Sequence, residues 1–278
     1  MEESVRKNEV FEKKTAREEM SQPGGLTFDI PAISVPIPSQ GLVYPPNSSL
    51  HNKQEVEIKA MTAAQENILT NGQLAKKGTL MSHLLNSCLV DKTIDVREML
   101  VGDRSTLMIA LRVSGYGMNY PTKVECPNCG NTEEKTFDLR LPLKNLELEP
   151  VEPNSNLFET VLPMSKYTVR FKFLSGRDEE EMTISSMRKK KIQGDAGSEI
   201  VTTGLLSMIE SINGISDKVQ LARAIPKMPA LDSQHLLKFI RDNEPGIDMT
   251  KEILCSECDY EGEVEMPLGA SFFWPNAK

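Results

Sequence analysis

Two Cys-x-x-Cys pairs, Cys126/Cys129 and Cys255/Cys258, constrain this chain more than any other feature of its sequence. A Cys-x-x-Cys turn brings two thiolates to one metal ion, and Zn²⁺ takes four ligands in a tetrahedron. Each pair lies between two strand-like segments, which predicts a knuckle at the turn of a β-hairpin. Neither pair has a histidine nearby. We therefore expect the knuckles to face each other and share one closed, structural four-cysteine zinc site, with one zinc ion per chain.

Other uses of a Cys-x-x-Cys pair fit this sequence less well. The first twenty residues lack the apolar stretch of a secretory signal, which favours a reducing compartment where disulfides are rare. A redox-active pair belongs at the start of a helix, whereas Pro127 and Gly130 indicate a turn. The fifth cysteine, Cys88, lies on an apolar helical face and is expected in the core.

The two cysteine pairs are 129 residues apart, and the same spacing relates several other positions. It relates Asp103 to Asp232, Arg112 to Arg241, Gly117 to Gly246, and the apolar stripe Leu107, Met108, Leu111 to Leu236, Leu237, Ile240. Upstream, Ile58 best matches Phe171, a spacing of 113 that requires net insertions in the second copy. We interpret the pattern as an internal duplication. The alternative is chance agreement between two helix–knuckle segments.

The resulting fold prediction is α+β, with two related, mostly helical lobes that each carry a small antiparallel β element with a zinc knuckle. Residues 1–35 are predicted to form a charged, flexible arm, because their first 22 residues offer little apolar surface to bury. Residues 36–150 would form the first lobe. Residues 151–278 would form the second lobe and end in an aromatic tail.

Local patterns predict several helix boundaries. Thr62 and Gln65 have the spacing of a capping box at the start of a helix. Asp103 and Asp232 are each predicted to cap the first turn of a helix with a carboxylate, and Gly115 is predicted to end the helix that follows Asp103. Residues 199–212 have apolar residues at helical spacing and predict one continuous helix.

Composition and motifs exclude several functional classes. The net charge of -8 argues against a protein whose main role is to bind phosphate backbones. No apolar run approaches the roughly 18 residues of a membrane span. The chain also lacks a phosphate-binding loop, a dinucleotide-binding glycine pattern and a nucleophile elbow. We therefore expect no enzymatic activity, no small-molecule substrate and no membrane span.

Phe272, Phe273 and Trp274 concentrate aromatic side chains close to the C-terminus of a chain that has few of them. Aromatic residues dominate both core packing and interface energetics. The motif is therefore either a plug that closes the chain's own core or an anchor that binds a partner protein. We favour the plug, since the motif follows a strand that would already be packed.

Several segments together resemble the baseplate hub proteins of T-even bacteriophages. The resemblance is clearest over residues 36–140, and the Phe-Phe-Trp-Pro ending is also similar. The segments that carry it are Pro36-Ile37-Pro38-Ser39-Gln40-Gly41-Leu42-Val43-Tyr44-Pro45, Val56-Glu57-Ile58-Lys59-Ala60-Met61-Thr62-Ala63, Leu69, Lys77-Gly78-Thr79, Leu89-Val90-Asp91 and Gly102-Asp103-Arg104. It implies a structural subunit of a contractile-tail baseplate, in or next to the central hub, which is assembled in the host cytoplasm and retained in the virion. Its partners would be other hub and wedge proteins.

Three alternative functions remain at this stage. The chain would be a zinc-ribbon nucleic-acid-binding factor if the knuckles and the basic run at 188–191 contacted DNA or RNA, although the net charge and the scarcity of aromatic residues near the knuckles argue against it. Because some members of the resembled family are assembly factors, an assembly role without retention in the baseplate is a variant of the leading hypothesis. A thiol oxidoreductase would require one strongly acidified thiol.

Overall fold

The computed structural model describes residues 28–193, 200–266 and 270–273. Within them the fold is α+β, with eight α-helices and small antiparallel sheets, as the sequence predicts. The helices are α1 (Ala63–Leu69), α2 (Gly72–Lys77), α3 (Leu80–Cys88), α4 (Val101–Tyr116), α5 (Gly176–Gln193), α6 (Ile200–Met208), α7 (Lys218–Ala224) and α8 (Ala230–Asn243). The strands are β1 (Ala32–Pro36), β2 (Glu55–Lys59), β3 (Asn119–Glu125), β4 (Thr132–Asp138), β5 (Leu143–Lys144), β6 (Phe158–Val161), β7 (Thr168–Phe171), β8 (Ile209–Ile212), β9 (Gly246–Ile247), β10 (Thr250–Leu254) and β11 (Glu261–Glu265).

All of the strand pairings among these residues are antiparallel. β1 pairs with β2, β6 and β8 flank β7, and the hairpins β3–β4 and β10–β11 each follow a long helix. β5 pairs with β9, so a strand from before residue 150 joins one from after it. Residues 1–27 of the predicted arm lie outside the described residues, whereas its last four residues belong to β1.

The predicted capping box is confirmed, because the Thr62 side chain accepts a hydrogen bond from the backbone of α1 and Gln65 bonds back to the Thr62 amide. Neither aspartate caps its helix. α4 begins at Val101 and α8 at Ala230, so Asp103 and Asp232 are each the third residue of their helix. Each carboxylate instead accepts hydrogen bonds from a turn more than sixty residues earlier in the chain.

Two other local predictions are wrong. α4 continues past Gly115 and ends at Tyr116, because Gly117, with a φ of 83°, provides the cap. The continuous helix predicted over residues 199–212 is divided into α6 and β8. Its last four residues pair with β7, and this tertiary pairing overrides the helical pattern of apolar residues.

The buried apolar side chains form one cluster that includes residues from before and after position 150. Backbone hydrogen bonds also cross this position, as between the Val101 amide and the Leu174 carbonyl (2.9 Å). Ion pairs of Arg97 with Glu180 and of Arg104 with Glu179 add to the contact. The two halves therefore pack directly on each other, and the division into lobes stays a prediction. Within the described residues no helix is long and apolar enough to cross a membrane.

Candidate metal centre

Both Cys-x-x-Cys pairs form knuckles at the tips of hairpins, and the two knuckles have the same backbone geometry. In the first, the Gly130 amide donates to the Cys126 carbonyl at 2.9 Å; in the second, the Asp259 amide donates to the Cys255 carbonyl at 3.1 Å. The donor has a positive φ in both, 72° at Gly130 and 53° at Asp259. Glycine and aspartate tolerate this left-handed conformation better than most residues. The sequence thus folds each pair into a turn that presents both thiols on one side.

The two knuckles face each other and bring all four thiols together. The Cys126 and Cys258 sulfur atoms are 3.7 Å apart, and those of Cys129 and Cys255 are also 3.7 Å apart. All four sulfurs lie within 4.8 Å of one another. Tetrahedral coordination with a Zn–S bond of about 2.3 Å requires sulfur–sulfur separations of about 3.8 Å. The arrangement could therefore hold one metal ion.

The cluster draws equally on both halves of the chain. Each close contact joins the first cysteine of one knuckle to the second cysteine of the other, so exchanging the halves leaves the pattern unchanged. Neither half supplies more than two thiols, which is too few to complete a tetrahedral site alone. A metal bound here would link hairpin β3–β4 to hairpin β10–β11.

The electrostatics of the four thiols are those of a crowded anionic site. A backbone hydrogen bond from Asn131 lowers the pKa of Cys129, but hydrogen bonds with the other thiols and desolvation outweigh it and raise the pKa to about 12. At Cys258, hydrogen bonds with the Asn128 side chain and the Tyr260 backbone lower the pKa to about 7. Four thiolates at this spacing repel each other, so full deprotonation requires a bound cation.

Three residues around the cluster hold the two hairpins together without contributing a thiol. Glu133, on β4, accepts hydrogen bonds from the amide (2.7 Å) and the hydroxyl (2.5 Å) of Ser256 in the opposite knuckle. Lys135 pairs with Glu133 at 2.7 Å and donates to the Leu254 carbonyl at 2.8 Å. The bonds from Lys135 and Ser256 lower the pKa of Glu133 to about 2. Our sequence reasoning missed these residues, because their spacing from the cysteines carries no motif.

The site has the chemistry of a structural centre. Four thiolates fill the coordination sphere of a tetrahedral metal, which leaves no position for water or substrate. Elsewhere, a cleft of about 660 Å³ between residues 43–50, 93–100 and 154–178 is lined by no histidine or cysteine. Its most enclosed carboxylate, Asp178, is occupied by hydrogen bonds from Lys172 and Ser175.

The C-terminal aromatic residues lie away from a free surface where the structure describes them. Phe272 and Phe273 are each only 1 % exposed. The Phe272 ring packs edge-on against Tyr120 of β3, with ring centroids 4.9 Å apart. Both rings belong to the chain's own core, which favours the plug interpretation over the anchor. Trp274 lies outside the described residues.

Comparison with known proteins agrees with the resemblance noted in the sequence. The model of one protein family, described as T4 bacteriophage base plate protein, matches residues 46–274. The match covers most of the chain and includes both knuckles. No curated protein and no solved structure matches the chain. The chain therefore belongs to the T4 bacteriophage base plate protein family.

Proposed function

We propose that this protein is a non-enzymatic structural subunit of a contractile-tail baseplate, in or next to the central hub. In this role it would act through contacts with other hub and wedge proteins and would be stabilised by one structural zinc ion. The observation that carries the proposal is the family match over residues 46–274. The virion tail is the location that membership of this family implies, and assembly in the host cytoplasm is part of the proposal.

Zinc is the metal that the donor set favours. A tetrahedral arrangement of four thiolates is typical of structural zinc sites and of thiolate-bound iron. Cys126, Cys129, Cys255 and Cys258 would hold the ion, which would supply positive charge and a rigid link between the two hairpins. A rigid link suits a subunit that must keep its shape while neighbouring subunits assemble on it.

Metal analysis of the full-length chain, purified without chelators, tests the zinc proposal. We expect about one zinc per chain, following the four-ligand rule. The double variant Cys126→Ser/Cys258→Ser should lose the metal, whereas Cys88→Ser, which alters a buried cysteine in α3, should keep it. No bound metal, two ions per chain, or iron in place of zinc would each contradict the proposal.

The position in the particle is tested by chemical cross-linking of purified tails followed by peptide identification. A retained subunit should be present in finished baseplates and cross-linked to hub proteins. Presence only in assembly intermediates would instead identify an assembly factor. Cross-links to wedge proteins alone would contradict the position near the hub.

The nucleic-acid alternative rests on the two knuckles and the basic run at 188–191, which lies in the last part of α5. A filter-binding titration of the full-length chain against salt discriminates between the two functions. The structural proposal predicts no measurable binding to DNA or RNA at physiological salt. Tight binding that weakens steeply as salt rises would contradict it, because that dependence is typical of phosphate contacts.

A further inference from the structure

The second half exposes several apolar side chains around a single turn. The turn connects β6 to β7 and spans residues 162–167. Val161 is 54 % exposed, Met164 63 %, Tyr167 50 % and Leu231, near the start of α8, 58 %. Leu231 precedes Asp232, whose carboxylate accepts hydrogen bonds from the Met164 and Ser165 amides at 2.7 and 3.0 Å. These four apolar residues are here named the turn patch.

The first half contains an equivalent turn. It follows β1 as residues 162–167 follow β6, and the Ser39 amide donates to Asp103 of α4 at 2.9 Å, as the Ser165 amide donates to Asp232 of α8. The next residue has a positive φ in both turns, 52° at Gln40 and 58° at Lys166. Both turns therefore bind their helix through a serine amide and an aspartate.

The two turns differ in what covers them. In the first half the Leu146 amide donates to the Pro38 carbonyl at 2.9 Å, and both Leu146 and Pro38 are buried. Met164 occupies the position of Pro38 in the second turn. No backbone amide among the described residues donates to its carbonyl. The second turn thus presents an apolar surface and a backbone acceptor that the first turn buries within the chain.

The spacing that relates the two halves does not place a backbone donor at the position equivalent to Leu146. The spacing of 129 that relates the two hairpins relates Leu146 to Pro275, and proline has no backbone N–H to donate. The turn patch also adjoins a cation. Lys166 is exposed and forms no ion pair with any described residue. An occupant that is both apolar and acidic is complementary to this surface.

We propose that the turn patch is a docking surface for an extended, acidic and apolar segment of another protein. The occupant would donate a backbone N–H to the Met164 carbonyl, as Leu146 does to the Pro38 carbonyl, and would place an aliphatic side chain on the patch. A carboxylate next to that side chain would pair with Lys166. The proposal rests on the proposed function only for the source of the segment, which would be a neighbouring baseplate subunit.

A peptide with the sequence of residues 143–150, LKNLELEP, is the probe for this surface, because that segment contains Leu146, whose amide bonds the equivalent turn. We expect the labelled peptide to bind the full-length chain with a Kd of about 0.1–1 mM, as for a short segment with one apolar anchor. Met164→Asp and Leu231→Asp should each weaken binding at least about tenfold, by adding charge to the apolar surface. Lys166→Glu should weaken it less.

Matched controls separate the patch from general effects. Val90→Asp changes another exposed apolar residue and should leave binding unchanged. A peptide with Leu146→Asp should not bind. No binding by the parent peptide, or binding that Met164→Asp leaves unchanged, would overturn the proposal. Removal of residues 274–278 should have no effect, and a large gain in binding on their removal would instead identify the C-terminal residues as the occupant. These outcomes do not depend on whether the chain is found in baseplates.

Discussion

The two halves of this chain are alike where they build the four-cysteine cluster and different where they meet their surroundings. A long helix leads into a hairpin with a knuckle in both, and the third residue of each helix is a buried aspartate that binds a turn. The second residue of that helix differs. In α4 it is Gly102, buried against the second half, and in α8 it is Leu231, which is exposed. The shared parts position the cysteines, and the differing parts decide which surfaces remain free.

The largest expected effect tests whether the two halves contribute equally to the metal centre. Cys126→Ser and Cys255→Ser each remove one ligand of the same four-ligand site, so they should lower the Tm by similar amounts, more than about 10 °C each. Thermal unfolding followed by circular dichroism measures both. Cys88→Ser should keep the metal, so a chelator should lower its Tm by as much as it lowers the Tm of the unsubstituted chain. A large difference between the two ligand variants would mean that the halves hold separate sites.

The next effect concerns the contact that distinguishes α4 from α8. A Cβ atom at Gly102 would lie 1.8 Å from the Pro245 carbonyl oxygen, so Gly102→Ala forces the start of α4 away from the second half. We expect a loss of about 3 kcal/mol in the free energy of unfolding, at the upper end for overpacking. Denaturation in urea provides the measurement. Gly72→Ala in α2 is the matched control, because nothing lies within 4 Å of its Cβ position, and it should be neutral or slightly stabilising.

The two buried aspartates should respond differently to neutralisation. Both oxygens of Asp232 accept hydrogen bonds from backbone amides. In an asparagine at this position the side-chain NH₂ would face one of these amides, so two donors would oppose each other. Asp232→Asn should therefore cost about 2 kcal/mol at pH 7. Asp103 accepts one backbone amide and the hydroxyls of Ser39 and Tyr44, which can rotate to accept from an asparagine. Asp103→Asn should cost less, about 1 kcal/mol, and an equal cost would contradict this difference.

The contributions of the two aspartates to the free energy of unfolding depend on pH with opposite signs. Desolvation raises the pKa of Asp103 more than its hydrogen bonds lower it, so its contribution to stability is greatest at low pH and is lost as pH rises through the folded-state pKa. At Asp232, hydrogen bonds from Met164 and Ser165 outweigh desolvation and lower the pKa. Its contribution is present above the ordinary pKa of about 3.9 and is lost as pH falls. Unfolding curves between pH 3 and 7 measure both slopes.

The parts of this structure that sequence could predict are those determined by short-range spacing. The knuckles, the hairpins and the Thr62 capping box each depend on residues within a few positions of each other. The pairing of two distant knuckles was also predictable, because four thiolates are needed to complete one site. The spacing of 129 residues does not predict the hydrogen bonds between Glu133 and Ser256. The positions that correspond to these two residues in the other half hold different residues, so no repeated pattern marks them.

Apart from the helix end predicted at Gly115, the wrong predictions have one cause, which is that a tertiary contact replaces a local one. A carboxylate near the start of a helix satisfies the local rule for a cap, yet Asp103 bonds to a turn that the sequence alone does not place beside it. The residues of β8 have the apolar spacing of a helix and are drawn into a sheet by β7. Local propensity is weak compared with such pairings.

The smallest expected effect lies on the exposed faces of the two hairpins. In the first hairpin Lys123 lies opposite Glu134, whereas in the second Glu252 lies opposite Glu263. Opposite charges across a strand pair stabilise it and like charges destabilise it, so Glu252→Lys should stabilise the protein by about 0.5 kcal/mol. Lys123→Glu makes the reverse change in the first hairpin and should destabilise by a similar amount. Both effects should shrink in about 1 M salt, because screening weakens exposed pairs. Urea unfolding at low and high salt measures both changes in stability. If the two substitutions changed the free energy of unfolding in the same direction, the hairpins would not be equivalent elements.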